Sequence, residues 1–348
     1  MHKFIKCNYL IIILLISCYS SFAQVVEYNP ENFVTIVSYN TENLFDTIDD
    51  PEKDDNEFLP GSKNDWNTDK YEKKIKNLAQ VISAINKYEL PEIVALAEIE
   101  NVNVLEDLVN ERLLIDGNYG IVHYESPDER GIDVALIYKK NEFSCIEQST
   151  ININYEFEPE AKTRDILYVK GKLKNNEIIH LLINHWSSRR DGQEKSEPKR
   201  IYSAKLLRNK TDQIIKKDNK AKIIILGDFN DEPTNNSLKN VLRAANSKNP
   251  GDKSQLINLL YDKHMFGYGT YFYKGKWNML DNIIVSQSLF SSPGKFEISF
   301  DGGQIFSTSW MLYENIKAGD FAPKSTFSGN NYHAGYSDHL PVYLILKK

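Results

Sequence analysis

Eight short apolar runs between residues 33 and 346 read as strands, and six of them carry a carboxylate, a carboxamide or an imidazole at one end. The runs are FVTIVSYN, EIVALAE, DVALIYKK, DILYVKGKL, IIHLLINHW, KIIILGDFN, LDNIIVS and HLPVYLIL. Two long segments have helical periodicity instead. Tyr71, Ile75, Leu78, Ile82 and Ile85 recur every three or four residues with lysines opposite, and Ile201, Ala204, Leu207, Thr211 and Ile214 repeat the pattern. Strands that outnumber long helices predict stacked sheets flanked by helices. No low-complexity block or Pro/Ser-rich linker divides the chain, so residues 24–348 are expected to form one domain.

Residues 1–23 are set apart from that domain. Lys3 and Lys6 precede the apolar stretch Asn8 to Ser17, and Ser21-Phe22-Ala23 supplies a small-x-small cleavage pattern before Gln24. The stretch is too short to span a bilayer, which predicts a cleaved export signal and a periplasmic or secreted protein. The rival is the Leu15–Cys18 segment LISC, which fits a lipoprotein cut leaving Cys18 lipidated, the one route by which an outer-membrane anchor is expected. Cleavage before Gln24 removes Cys7 and Cys18, leaves Cys145 without a disulfide partner, and takes the net charge from −6 to −8 (42 minus 2 basic against 48 acidic residues). So acidic a chain is not built for indiscriminate nucleic-acid binding; a polyanion must be met by local basic groups or by a metal.

The polar strand ends are Asn40 with Glu42 nearby, Glu98, Asn184 with His185, Asp228 with Asn230, Asp281, and Asp338 with His339. Any one of them is also what a turn or a cap looks like; six in one core are not explained by turns. Phosphate ester cleavage needs such a rim. A hard divalent cation, Mg²⁺ with Mn²⁺ or Ca²⁺ as alternatives, takes oxygen ligands and keeps several waters. Glu98 and Asp338 are the candidate carboxylates, with Asn40 and Glu42 beside them. Asp228 is the candidate base for an attacking water, with Asn230 as a donor, and Asp281 is the expected partner fixing the tautomer and charge of His339. His185 and Asn184 add donors to phosphoryl oxygens. Zinc-type Cys or His pairs, a phosphate-binding P-loop, a nucleophile elbow and a dinucleotide glycine fingerprint are absent from the sequence. The acidic stretch 46–58 lacks the order of a calcium loop and reads as solvated.

SYNTENLFD, LAEIEN, NHWSSRRDG, GDFND, LDNIIVS and SDHLPV resemble the successive motifs of the endonuclease/exonuclease/phosphatase superfamily, and the further segments ERGIDVALIY and TRDILYV resemble its secreted bacterial members. That group includes deoxyribonuclease I, neutral sphingomyelinases and inositol-polyphosphate 5-phosphatases. The resemblance covers nearly all of the chain after the leader, in the family's order. It implies a deoxyribonuclease I-like α/β fold, a four-layer α/β/β/α sandwich of two mainly antiparallel sheets flanked by helices. It also implies Asn40 and Glu98 at the metal, His185 at the phosphate, Asp228 and Asn230 at the attacking water, and Asp281–His339 as a coupled pair preceded by Asp338. Glu42 stands where some relatives carry an aspartate.

Candidate substrate contacts outside this rim are Arg130, Arg164, Arg189 and Arg190, with Lys195, Lys199 and Arg200 continuing the basic cluster. Each is equally what a solvated surface arginine or lysine looks like. Tyr271, Tyr273 and Trp277 are placed to stack bases or to cover a sheet. The expectation is a monomeric, exported, metal-dependent phosphodiesterase acting on extracellular DNA or RNA, with no protein partner. The same machinery on a lipid head group or an inositol phosphate is the alternative, and a non-catalytic surface binding protein is the reading from another class.

Overall fold

The computed structural model describes residues 32–190, 192–246, 254–290, 295–299 and 301–348. The expected leader, with Cys18, lies outside them. Two large sheets pack face to face. The first is ordered β14 (Gln304–Ile305), β19 (Val342–Lys347), β1 (Phe33–Leu44), β2 (Ile93–Ile99), β4 (Asp133–Lys139), β3 (Tyr119–His123). The second is ordered β5 (Phe143–Ile151), β6 (Ile166–Leu173), β7 (Ile178–His185), β8 (Lys222–Asp228), β13 (Asp281–Val285), β10 (Leu256–Asn258), β9 (Ala244–Ala245). Most neighbours are antiparallel; β1–β2, β7–β8 and β9–β10 run parallel. Three small hairpins sit outside the sheets: β11 (Tyr271–Tyr273) with β12 (Lys276–Asn278), β15 (Leu312–Asn315) with β16 (Asp320–Pro323), and β17 (Phe327–Ser328) with β18 (Asn331–Tyr332).

Side-chain alternation along the strands builds the layers. Val34 and Ile36 of β1, Leu181 and Ile183 of β7, and Ile224 and Leu226 of β8 meet in a core between the sheets. Their neighbours point outwards: Val37 and Tyr39 pack under α1 (Thr68–Ala84) and α2 (Val102–Val109), while Leu182, Ile223 and Ile225 pack under α3 (Gln193–Lys217). Four layers result, α/β/β/α, because each sheet is apolar on both faces. Each fully buried Leu, Ile or Val contributes about 1.5–3 kcal/mol, so the inner core alone outweighs any single surface interaction.

The helical stripes hold: Ile75, Leu78, Ile82, Ala204, Leu207, Thr211 and Ile214 are buried. Lys74, on the flank of the first stripe, is buried as well, with 1% of its surface exposed. The last strand starts at Val342, three residues later than its apolar run suggests, because Pro341 has no N–H to give to the ladder. No helix among the described residues is long and apolar enough to cross a membrane.

Candidate active site

Strand register brings distant residues to one rim. Asp228 ends β8 opposite His185 on one side and Asp281 on the other. Gly227, just before it, has φ +139°, and a Cβ there would stand 1.9 Å from the Asn184 carbonyl oxygen. Only glycine fits where β7 and β8 approach so closely. The rim of the first sheet is irregular. The β1–β2 register shifts between Asn40 and Leu44, and Glu42, Asn43 and Glu98 take positive φ of 54°, 54° and 63°. Such conformations cost about 1 kcal/mol or more each and cluster where side chains must be re-aimed.

Asp228 is the hub. Its Oδ2 accepts from Asn40 Nδ2 at 3.1 Å, and its Oδ1 accepts from the Asn230 backbone N–H at 2.8 Å. His185 Nε2 and His339 Nε2 lie 3.7 and 3.8 Å from Oδ2. His339 Nδ1 is 2.7 Å from Asp281 Oδ2, and the ring stacks on Tyr271 with centroids 4.8 Å apart. Glu98 completes the arc: Oε1 is 3.7 Å from His185 Nε2, and Oε2 accepts from the Asn43 N–H at 2.9 Å.

Electrostatics differentiates these groups. Burial disfavours the charged form of His339, but Asp281, Asp228 and Asp338 overcome it and hold its pKa well above the ordinary value. His185 goes the opposite way, lowered by burial and by the charges of Arg164, Arg130 and His339. Burial raises Asp228 to about 6, with His339 opposing and Asp281 reinforcing the shift. That value suits a base working near neutral pH. Asp338 is pushed up to about 8 by burial, Glu42 and Glu98. Glu42, Asp228 and Asp338 are all raised by burial, and a cluster of buried carboxylates with no thiolate among them is the oxygen-donor chemistry that a hard cation takes.

Not every expected residue faces the cleft. Asn184 is wholly buried; its amide donates to the Leu182 and Leu226 carbonyls and accepts from Trp186 Nε1, leaving nothing for a phosphoryl oxygen. Glu42 spends both oxygens on the Thr326 and Phe327 N–H groups and sits 3.7 Å from Lys74 Nζ, so it is an anchor behind the carboxylates rather than an open ligand. Asn40 Oδ1 already accepts from the Glu42 N–H, which makes Asn40 a bridge between Glu42 and Asp228. Arg164 is buried, bound to Asp128 at 3.1 Å and to the Trp186 carbonyl at 2.7 Å; it braces the loop after His185 and does not reach solvent. Arg189 holds the Asn230 carbonyl, Asp231 and Asn235. Arg200 has no exposed surface and lies 2.8 Å from Asp231, and Lys199 pairs with Glu158. Of the expected basic strip only Arg200 is buried; Arg189 and Lys199 are part-exposed but paired, and Lys195 stays exposed. Arg190 remains exposed, and Arg130 is part-exposed within electrostatic reach of Glu98 and Arg190.

Sequence reasoning missed Lys74 and underrated Tyr271. Lys74 Nζ donates to Thr326 Oγ1 at 2.6 Å and to the Tyr336 carbonyl at 3.0 Å, a buried cation beneath Glu42 and Asp338. Its spacing of four and seven residues from the buried Leu78 and Val81 was the available signal.

A family model described as "Endonuclease/Exonuclease/phosphatase family" matches residues 35–348. The chain belongs to this family. As an endonuclease/exonuclease/phosphatase protein it is a phosphoester hydrolase. Sequence comparison with curated proteins finds none that match. Among solved structures, D. rerio TDP2 complexed with a single-strand DNA product is similar at 13% identity and TM-score 0.54, covering 91% of this chain and 99% of that one. The human Nocturnin catalytic domain with bound sulfate gives 16% and 0.53, with 90% and 94% covered. A mannosyl-6-phosphatase from Bacteroides thetaiotaomicron gives 15% and 0.51, with 90% and 100% covered. At such identities these structures establish the shared fold.

Proposed function

We propose that the protein is a divalent-metal-dependent phosphodiesterase acting on nucleic acid, single strands in particular. The observation that carries the chemistry is Asp228 Oδ2 set 3.7 Å from His185 Nε2 and 3.8 Å from His339 Nε2, in surroundings that push the pKa of His185 down and that of His339 up. A cation held by Glu98 and Asp338 would polarise a phosphoryl oxygen. Asp228 takes the proton of the attacking water, and Asn230 and Asn40 fix the orientation of its carboxylate. His339, charged and tied to Asp281, donates from Nε2 to negative charge growing on the phosphoryl group; His185 offers a hydrogen bond without adding charge. Arg130 and Arg190 are the remaining candidates for flanking phosphates. Exposed Tyr273, stacked on Tyr271 beside His339, suits an unpaired base, whose face a duplex would hide. The TDP2 structure with a single-strand DNA product supports this choice.

A second reading is a phosphomonoesterase or diesterase acting on a small phosphorylated sugar or polyol. It is favoured by the ties of Arg189 to Asn230 and Asp231, of Lys199 to Glu158 and of Arg200 to Asp231, which leave fewer uncommitted basic groups to track a backbone. We also propose export with cleavage before Gln24; a mature mass beginning elsewhere, or a lipid adduct on Cys18, overturns it.

The test is hydrolysis of bis-p-nitrophenyl phosphate with Mg²⁺ or Mn²⁺, against an EDTA control. Turnover should fall about 10³-fold in Asp228→Asn and in His339→Ala, with both variants folded. Folded wild type that is inert under every divalent ion refutes the enzyme. A panel of single- and double-stranded DNA, RNA, sphingomyelin, inositol phosphates and hexose phosphates then chooses the substrate; preference for a sugar phosphate over any nucleic acid selects the second reading.

A further inference from the structure

His123 ends β3, Asp133 begins β4 next to it, and Glu125 stands two residues beyond His123. One ligand atom from each of the three lies within 4.8 Å of the other two. His123 Nε2 is 3.3 Å from Asp133 Oδ2, and both atoms are buried without a hydrogen-bond partner. The two side chains are 5% and 2% exposed. Unless the imidazole is protonated and pairs with the carboxylate directly, two such buried atoms facing each other cost free energy when nothing bridges them. Their separation is that of adjacent ligands around an ion bound at about 2.0–2.2 Å. The other Asp133 oxygen, Oδ1, accepts from the Ser126 N–H at 2.9 Å, which orients the carboxylate in the way that outer partners orient metal ligands.

The geometry points to a second metal site, formed by His123, Asp133 and Glu125, that takes a borderline divalent ion such as Zn²⁺. One nitrogen and two oxygens suit Zn²⁺ or Mn²⁺ better than Mg²⁺ or Ca²⁺, which prefer oxygen alone. The site ties together the two feet of the loop 124–132. That loop carries Asp128, which holds Arg164, and Arg130, which faces Glu98 electrostatically. Its role is structural: the ion fixes the loop that presents Arg130 to the rim. The site is independent of the substrate reading and uses none of the residues placed at the phosphoryl centre.

The full chain is titrated with Co²⁺ as a Zn²⁺ surrogate in excess Mg²⁺, following visible absorption. One equivalent should bind with a spectrum indicating nitrogen ligation. His123→Gln and Glu125→Gln should each weaken binding at least tenfold, while Glu98→Gln should leave it intact. Glu125 is 58% exposed, so Glu125→Gln keeps the fold even if His123→Gln does not. Zn²⁺ should raise the melting temperature of wild type and not that of Glu125→Gln. An unchanged titration in Glu125→Gln, absence of Co²⁺ uptake by wild type, or loss of uptake in Glu98→Gln overturns the proposal.

Discussion

His185 and His339 flank the same carboxylate and differ in protonation because of what lies behind each. Asp281 backs His339 and holds its pKa up; burial first, then Arg164 and Arg130, pushes that of His185 down. The difference has a testable sign. His339 acts as a donor while protonated, and that form is lost as pH rises through its raised pKa. Asp281→Asn removes the principal charge holding that value up, so the alkaline limb of the pH–rate profile should move to lower pH and kcat should fall about 10²-fold or more. A limb that stays in place separates Asp281 from the titration. These roles were readable in the sequence because each residue sits at the end of an apolar run. Asn184 sits at such an end too, yet its amide is consumed by Leu182, Leu226 and Trp186. Which side of a strand end faces the cleft depends on register with the neighbouring strand, and one sequence does not display that.

At the scale of elements, the junction of β7 and β8 is the least tolerant place in the fold. Gly227→Ala puts a methyl into the Asn184 carbonyl at a φ that L residues avoid. The expected loss is about 3 kcal/mol or more in urea unfolding. Farther along β7, His180 Nδ1 lies 2.9 Å from the Tyr168 hydroxyl, and burial, with Lys170, lowers its pKa to about 4. The folded state therefore binds fewer protons than the unfolded chain between pH about 4 and 6.5. Its stabilising contribution is present above 6.5 and lost as pH falls toward 4. His180→Asn should flatten urea-unfolding stability across that window. Element type and order were legible from periodicity, since eight apolar runs became strands. Edge pieces such as β9, β14 and the three hairpins were not, because two to four residues carry no period to detect. The basic cluster misled for another reason: a charged run shows its composition but not its partners, and Asp231 draws in Arg189 and Arg200.

For the molecule as a whole, a net-acidic surface and few free arginines predict a modest electrostatic component to substrate binding. If Arg130 and Arg190 each meet a phosphate of a single strand, the double variant Arg130→Ala, Arg190→Ala should lower the slope of log KM against log salt by about 1.4. An unchanged slope returns both to the solvated surface. The four-layer stack followed from the family resemblance and from strand-rich composition, but the loops that border the rim did not, because irregular segments carry no period to detect.

The β11–β12 hairpin reaches His339 through the Tyr271 ring and through a backbone bridge between the same two residues, while Tyr273 beyond it is open to solvent. Its strands pair with each other, and its base is tied in where Thr270 accepts from the Leu340 and Asp281 N–H groups. Divergence or engineering can therefore exchange the exposed tip around Tyr273 and redirect the enzyme to a new leaving group, leaving the hydrolytic centre untouched as long as the base of the flap keeps its place against the imidazole.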